Sequence, residues 1–371
     1  MLTLQAQLLN RLEQRESEGI LRKLKIGKAS IDFCSNDYLG LTRDQTFQQQ
    51  ILKTALENPK SLMGSTGSRL ISGNTETTMQ VESFLAENHG NKSALLFPSG
   101  YKANLALFSC IAQRNDTILV DEYVHRSVHD GCLLSNATKW KFKHNDLDHL
   151  ESLLKKMKGN TLIAIESLYS MDGDFAPLED IAELAFRYQA NLIVDEAHAL
   201  GVFGKGLVYQ NQLQNKVFAT IATYGKAMGL NGAAVLGSRV LKEYLINFAS
   251  PFIYSTAASD FQSLSIRASY KYMDEHPDLA IRLQKNIEYF RSHQVHSISQ
   301  EKSPIQIVQF PSSTKLRQAV TALSAIDIET YSVFAPTVKP GLERLRICLH
   351  QFNSFAEIDR LCRIIKQHQY V

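Results

Sequence analysis

The sequence has little of what marks several large classes of protein. Its 40 basic and 37 acidic residues leave a net charge of only +3, too small to argue for a nucleic-acid or anionic-membrane partner. It has five cysteines and no C-x-x-C pair, which excludes a disulfide framework and a zinc ribbon and suits reduced thiols in the cytoplasm. No run of some eighteen apolar residues appears, so no membrane span is expected. Met1 to Arg15 places Leu at 2, 4, 8, 9 and 12 among polar neighbours, an amphipathic helix without the apolar core and cleavage site of a signal peptide. Neither Gly27-Lys28, Gly204-Lys205 nor Gly225-Lys226 is followed by Ser or Thr. No G-x-x-x-x-G-K-[ST] phosphate loop therefore supports reading D-E-A-H at 195–198 as part of a helicase. H-E-x-x-H is absent as well, against a zinc hydrolase.

With 371 residues, 44% hydrophobic and 21% charged, the chain has the composition of an ordinary soluble globular protein and the length for two domains. Short apolar runs alternate with helical spacings: strand Ala94–Phe97, helix Ala103–Ala112, strand Thr117–Val120, strand Lys139–Phe142, helix Leu147–Met157, strand Leu162–Glu166 and helix Leu178–Tyr188. Strands Asn191–Asp195, Val217–Thr223 and Ala233–Leu236 follow. This pattern predicts an α/β fold, a doubly wound, mostly parallel sheet of about seven strands. Past Ala258 helices lead to strands Ile305–Phe310 and Leu345–Leu349, a smaller α+β domain. The expected division is 1–36, an amino-terminal helix and short strands between Leu21 and Phe33; 37–275, the large domain; and 276–371, the small one.

Open α/β sheets bind ligands at the carboxyl ends of their strands. Asp195 and His198 stand at such an end, and the run from Val217 delivers Lys226 to the same edge. A lysine that must act as nucleophile or base gains from a desolvated pocket, where its pKa falls. Pyridoxal phosphate further requires a carboxylate to keep its ring nitrogen protonated. Asp195 and Lys226 fit those two needs; either motif standing alone would read rather as a loop cap or a solvated lysine. Around them lie other candidates. Gly64 to Asn74 packs three glycines and four hydroxyl residues into eleven positions, too loose for a helix and able to bring N–H groups to an anion, or simply a surface loop. Pro98-Ser99-Gly100-Tyr101 opens a helix and suits phosphate. His125 follows a strand at the ligand edge, and Ser170 to Asp174 forms a turn. Arg344 and Arg346 point to one face of a strand, where a guanidinium can clamp a carboxylate.

These segments in this order resemble the α-oxoamine synthases, fold-type I pyridoxal phosphate enzymes, from about Asp32 to the end. The matching motifs are S-N-D-Y-L-G-L at 35–41, G-S-T-G-S-R-L-I-S-G at 64–73, P-S-G-Y at 98–101, His125, E-S-L-Y-S-M-D-G-D at 166–174, D-E-A-H at 195–198, T-Y-G-K-A at 223–227 and R-L-R at 344–346. The resemblance implies Lys226 as the Schiff-base lysine, Asp195 as partner of the pyridine nitrogen and His125 as the ring stacked on the cofactor. His198 and Ser170 would lie near the phenolic oxygen. Ser99, Gly100, Tyr101 and Thr223 would hold the phosphate, and Thr256 would reach it from the other subunit of a homodimer. Arg346, with Asn36 and Arg22, would bind the amino acid carboxylate. The implied reaction condenses an amino acid with an acyl thioester and releases carbon dioxide. Ser68, where glycine users of the 5-aminolevulinate type commonly have Thr, leaves room for the methyl of alanine. That points to the branch taking alanine and a pimeloyl thioester in biotin synthesis, with glycine-using and long-chain ketosphingoid-base members as alternatives. A non-catalytic partner subunit is disfavoured because Lys226, Asp195 and His125 are all present. Thr78 stands where many members have His, and Thr66 replaces a common glycine, so contacts to the acyl chain or the interface are expected to differ there.

Overall fold

The computed structural model describes residues 3–18, 20–24, 31–335, 338–339 and 341–369. In chain order its strands are β1 (Ile31–Asp32), β2 (Ser93–Phe97), β3 (Thr117–Asp121), β4 (Thr138–Phe142), β5 (Thr161–Glu166), β6 (Asn191–Asp195), β7 (Ala219–Thr223), β8 (Ala233–Gly237), β9 (Ile305–Gln309), β10 (Ile328–Glu329), β11 (Tyr331–Val333) and β12 (Arg344–Cys348). Seven of them form the central sheet in the order β2-β8-β7-β6-β5-β3-β4. Pairing is parallel from β7 through β4, and β8 runs antiparallel to both β7 and β2.

The inner strands are buried along almost their whole length and so show no alternation, because helices cover both faces of the sheet. Leu119, Ile163, Leu192 and Ile221 lie in one continuous core with Leu107, Val128 and Ile181 from the flanking helices. Register sets the site: Glu166 faces Asp195 across β5 and β6, and Asp195 faces Ile221 on β7. Three strand ends therefore meet at one rim of the sheet. A second core joins Tyr38, Leu39 and Leu41 to Ile307, Leu345 and Ile358, beside the antiparallel sheet β11-β12-β9. The S-N-D-Y-L-G-L segment is thereby anchored against the carboxyl-terminal part of the chain.

Three expectations need correction. Of the strands expected between Leu21 and Phe33, the described residues show Ile31–Asp32, held by parallel pairing with β10. Residues 21–24 have no regular structure, and residues 25–30 lie outside the described residues. Helix Gln45–Glu57 was not foreseen, because its run of glutamines dilutes the apolar spacing. It starts where the Asp44 carboxylate accepts from the N–H groups of Thr46 and Phe47, and it buries Phe47 and Ala55. Within the glycine-rich segment, Arg69–Gly73 forms a single π-helical turn in which the Ser68 carbonyl accepts from the N–H groups of Ile71, Ser72 and Gly73. The amino-terminal helix is present at Leu4–Ser17, but Leu4, Leu8, Leu9 and Leu12 are exposed. No described helix is long and apolar enough to cross a membrane.

Candidate active site

A cavity opens at the carboxyl rim of the central sheet. Asp195, Ala197 and His198 enter it from the end of β6, Thr223 and Lys226 from the end of β7, and Glu166 from β5. Gly100, Tyr101 and Asn104 reach it from the first turns of helix Gly100–Cys110, and His125 from the turn after β3. Ser99 caps that helix, its hydroxyl accepting from the N–H of Lys102. The dipole and free N–H groups of such a terminus favour an anion.

Asp195 is almost fully buried, and both its oxygens have partners: Oδ2 accepts from Asn104 Nδ2 at 2.7 Å and Oδ1 from the Ala197 N–H at 2.9 Å. Asn104 also donates to Ser127 Oγ at 3.1 Å, and Ser127 Oγ lies 2.7 Å from His125 Nδ1. The Ser127 N–H also donates to that ring nitrogen. A buried chain thus runs from Asp195 through Asn104 and Ser127 to His125, fixing the imidazole over the cavity mouth. Desolvation holds His125 below its usual pKa against the pull of Asp195. His198 is held further below, first by burial and then by the nearby charge of Lys226, so its ring is neutral.

Lys226 keeps some surface open toward the cavity. Desolvation lowers its amine's pKa, opposed by the charges of Asp195 and Glu166. Glu166 moves the other way: burial first, then the Asp195 carboxylate beside it, pushes it up to about 8. Its Oε1 has no hydrogen-bond partner among the described residues.

Arg346 on β12 is buried. Its Nε donates to the Ser170 carbonyl at 2.7 Å, its Nη2 to Asn36 Oδ1 at 2.9 Å and its Nη1 to Cys348 Sγ at 3.0 Å. Asn36 lies 3.2 Å from the Tyr38 hydroxyl, which lies 2.8 Å from His198 Nδ1. The arginine is therefore tied to the cavity wall through three side chains. Neighbouring Arg344 forms an ion pair with Asp172. The 170–174 turn is also clamped by Ser299 Oγ donating to the Asp172 carbonyl and by the Gln300 N–H donating to the Gly173 carbonyl. Gly173 has φ +67°, and a Cβ there would meet the Ile305 carbonyl oxygen and Ser299 Oγ, so this turn requires glycine.

Of the residues singled out from sequence, Gly100, Tyr101, His125, Asp195, His198, Thr223 and Lys226 line the cavity. Ser99 stands at its helix cap, and Arg346, Asn36 and Ser170 adjoin it. Ser68 and Thr256 pair with each other in an isolated bridge and do not line it. Arg22 is exposed and does not line it either. Thr78 is buried, 3.2 Å from both Asp260 and Ser263. It lines a separate apolar cavity with Phe97, Phe252 and Ile266, whose only charged group among the described residues, Arg69, is already paired with Glu82. Sequence reasoning missed Glu166, Asn104, Ser127 and Tyr38 as site residues. Asn104 had a signal: a polar residue within the apolar run A-N-L-A-L-F, one turn beyond Ser99.

Pyridoxal phosphate fits these residues. Thr223 Oγ1 is buried with no partner among the described residues, and a Cβ on Gly100 would lie 2.5 Å from it, so a hydroxyl and a bare backbone face each other at a helix N-terminus. A carboxylate, two imidazoles and an amine complete the donor set.

Residues 28–365 match the family described as aminotransferase class I and II. The chain is 37% identical over 383 residues to 8-amino-7-oxononanoate synthase of Emericella nidulans, covering 95% of this chain and 93% of the relative. It is 38% identical over 341 residues to the protein of the same name from Chromobacterium violaceum, covering 90% and 88%. Among solved structures, 8-amino-7-oxononanoate synthase of Francisella tularensis superposes with a TM-score of 0.77 at 29% identity, over 91% of this chain and 97% of that one. Serine palmitoyltransferase of Sphingomonas wittichii reaches 0.88 over 99% and 98%, but at 22% identity, a likeness of fold alone. With the family's match spanning nearly the whole chain and the cofactor's donor set gathered at the rim of a fold-type I sheet, the chain belongs to the aminotransferase class I and II family, as a pyridoxal phosphate-dependent acyltransferase.

Proposed function

We propose that this enzyme condenses L-alanine with a pimeloyl thioester, carried by coenzyme A or a carrier protein, to form 8-amino-7-oxononanoate in biotin synthesis. The observation that carries the reading is the link from Arg346 through Asn36 and Tyr38 to His198 in the Lys226 cavity. It gives one site both a carboxylate anchor and a desolvated amine. The names of relatives at 33–38% identity support the same choice.

When bound, pyridoxal phosphate supplies an aldehyde for an amine and a ring that takes up carbanion charge. Ser99, Gly100, Tyr101 and Thr223 would hold the phosphate at the helix N-terminus. Asp195, oriented by Asn104 and the Ala197 N–H, would hold a proton on the ring nitrogen, and His125 would cover the ring. Arg346 and Asn36 bind the carboxylate of alanine. Lys226, its proton affinity lowered by desolvation, takes the α-proton. The alanine α-carbon then bonds to the acyl carbon, the thioester C–S bond breaks and the thiol leaves. The carboxylate departs as carbon dioxide, and a proton returned to the α-carbon completes the aminoketone.

Ser68 and Thr256 enter as a pair from the partner subunit of a homodimer. They face each other across an isolated bridge away from their own cavity, closed by the Ala257 N–H donating to the Gly67 carbonyl at 3.0 Å, and Met63, Leu70, Ile71, Met79 and Tyr254 leave exposed apolar surface around them, the composition of an interface core.

The test is thiol release from pimeloyl-coenzyme A or a long-chain acyl-coenzyme A by the purified protein with L-alanine, glycine or L-serine as partner. Alanine-dependent release is expected. Release with glycine alone would move the enzyme to a glycine-using branch, and release only with serine and a long-chain acyl thioester would favour ketosphingoid-base synthesis.

A further inference from the structure

Tyr38 is fully buried and has one proton to give, with two acceptors near it. Asn36 Oδ1 lies at 3.2 Å and His198 Nδ1 at 2.8 Å. The first distance is long for an O–H donor, while the second is at the usual value. Asn36 Oδ1 is also already engaged by Arg346 Nη2 at 2.9 Å, and the cationic donor draws on the lone pairs a phenol would use. His198 is buried and neutral, so only one of its ring nitrogens carries hydrogen.

The geometry points to Tyr38 as a positioning residue that donates to His198 Nδ1, fixes the proton on Nε2 and so presents the ring to the Lys226 cavity as a hydrogen-bond donor. An imidazole of the other tautomer would meet the cavity as an acceptor. It would repel a ligand oxygen bearing negative charge, such as the ionised phenolic oxygen of the cofactor. The segment carrying Tyr38 is locked into the second core, between Leu39 and Leu41 and the strands β9 and β12. The tautomer in the cavity is thus set from outside the central sheet, by the same segment whose Asn36 holds Arg346. The role toward the cofactor rests on the function proposed above, but the proton's position does not.

The test is the tautomer itself, read from 15N spectra of the full chain labelled at histidine, as purified and again with pyridoxal phosphate added. Loss of one signal set in His198→Gln assigns the ring. The expected result is a pyridine-type Nδ1 and a pyrrole-type Nε2 in the wild type. In Tyr38→Phe, which keeps the buried ring, the His198 signals should move toward the other tautomer or a mixture, and kcat should fall about tenfold, the worth of one buried neutral hydrogen bond. A pyrrole-type Nδ1 in the wild type, or spectra unchanged in Tyr38→Phe, overturns the assignment whether or not the enzyme proves to use alanine. If Tyr38→Phe fails to fold, the wild-type spectrum alone still decides where the proton lies.

Discussion

Replacing Glu166 with Gln should make the enzyme more stable at neutral pH, although it alters a charged residue type inside the active site. Glu166 is an acid whose folded pKa is raised, to about 8 from an ordinary 4.5, chiefly by burial and then by Asp195. At pH 7 it is protonated when folded and ionised when unfolded. Folding must therefore take up a proton, and stability falls as pH rises between the two values. From 4.5 to 7 is about 2.5 pH units, a cost of roughly 3 kcal/mol at about 1.4 kcal/mol per unit. The penalty is absent below the unfolded value and levels off above the folded one. Glu166→Gln removes the titration while keeping the shape, so it should recover up to about 3 kcal/mol at pH 7 and almost nothing near pH 4. Urea unfolding of both proteins across this range, at fixed cofactor concentration, measures the difference. Infrared spectra should show a protonated carboxyl band at pH 7 that Glu166→Gln lacks. A stability difference independent of pH, or no lost carboxyl band, would refute the claim that Asp195 and burial keep Glu166 neutral.

Other substitutions test the remaining groups. Lys226→Ala should reduce thiol release by about 10²–10⁴-fold, the usual worth of a positioned base, and change the visible spectrum of the cofactor-loaded protein; normal turnover would remove the lysine from the chemistry. Asp195→Asn should weaken pyridoxal phosphate binding roughly tenfold to a hundredfold, as expected for loss of a charged hydrogen bond, and equilibrium titration of the cofactor checks it. Arg346→Lys cannot keep all three bonds to Ser170, Asn36 and Cys348, so the KM for the amino acid should rise by about the same factor while that for the acyl thioester stays near wild type. Equal changes in both would mean that Arg346 is not a carboxylate anchor.

Much of the fold was legible because its signals are local. β5 and β6 carry unbroken apolar runs, Leu162–Ile165 and Leu192–Val194, each ending in an acid, and a buried parallel strand permits little else. The placement of Asp195, His198, Thr223 and Lys226 at one rim followed from that, since polar residues just past such runs must emerge at the carboxyl edge. The helix Gln45–Glu57 and the π-helical turn at Arg69–Gly73 were not legible. The first is held by an Asp44 cap and the burial of only Phe47 and Ala55. The second gathers three N–H groups onto one carbonyl, at Ser68, and periodicity does not register that.

The contacts that turn those rim residues into a site span distances along the chain that no local pattern reaches. Asn104 is 91 residues from Asp195, Tyr38 is 160 from His198 and Asn36 is 310 from Arg346. Each of these partners looks unremarkable in its own segment: an asparagine in a helix, a tyrosine in a turn. The roles of Asn36 and Tyr38 come from the second core, which docks residues 38–41 against β9 and β12 and so carries both to the cavity wall. The carboxylate anchor and the tautomer of His198 therefore depend on one docked segment. Loosening that segment through a distant core residue such as Ile358 should lower amino acid affinity and displace the His198 ring together, while the Asn104–Asp195 bond on the central sheet remains intact. Separate loss of the two would mean that they are not mechanically joined.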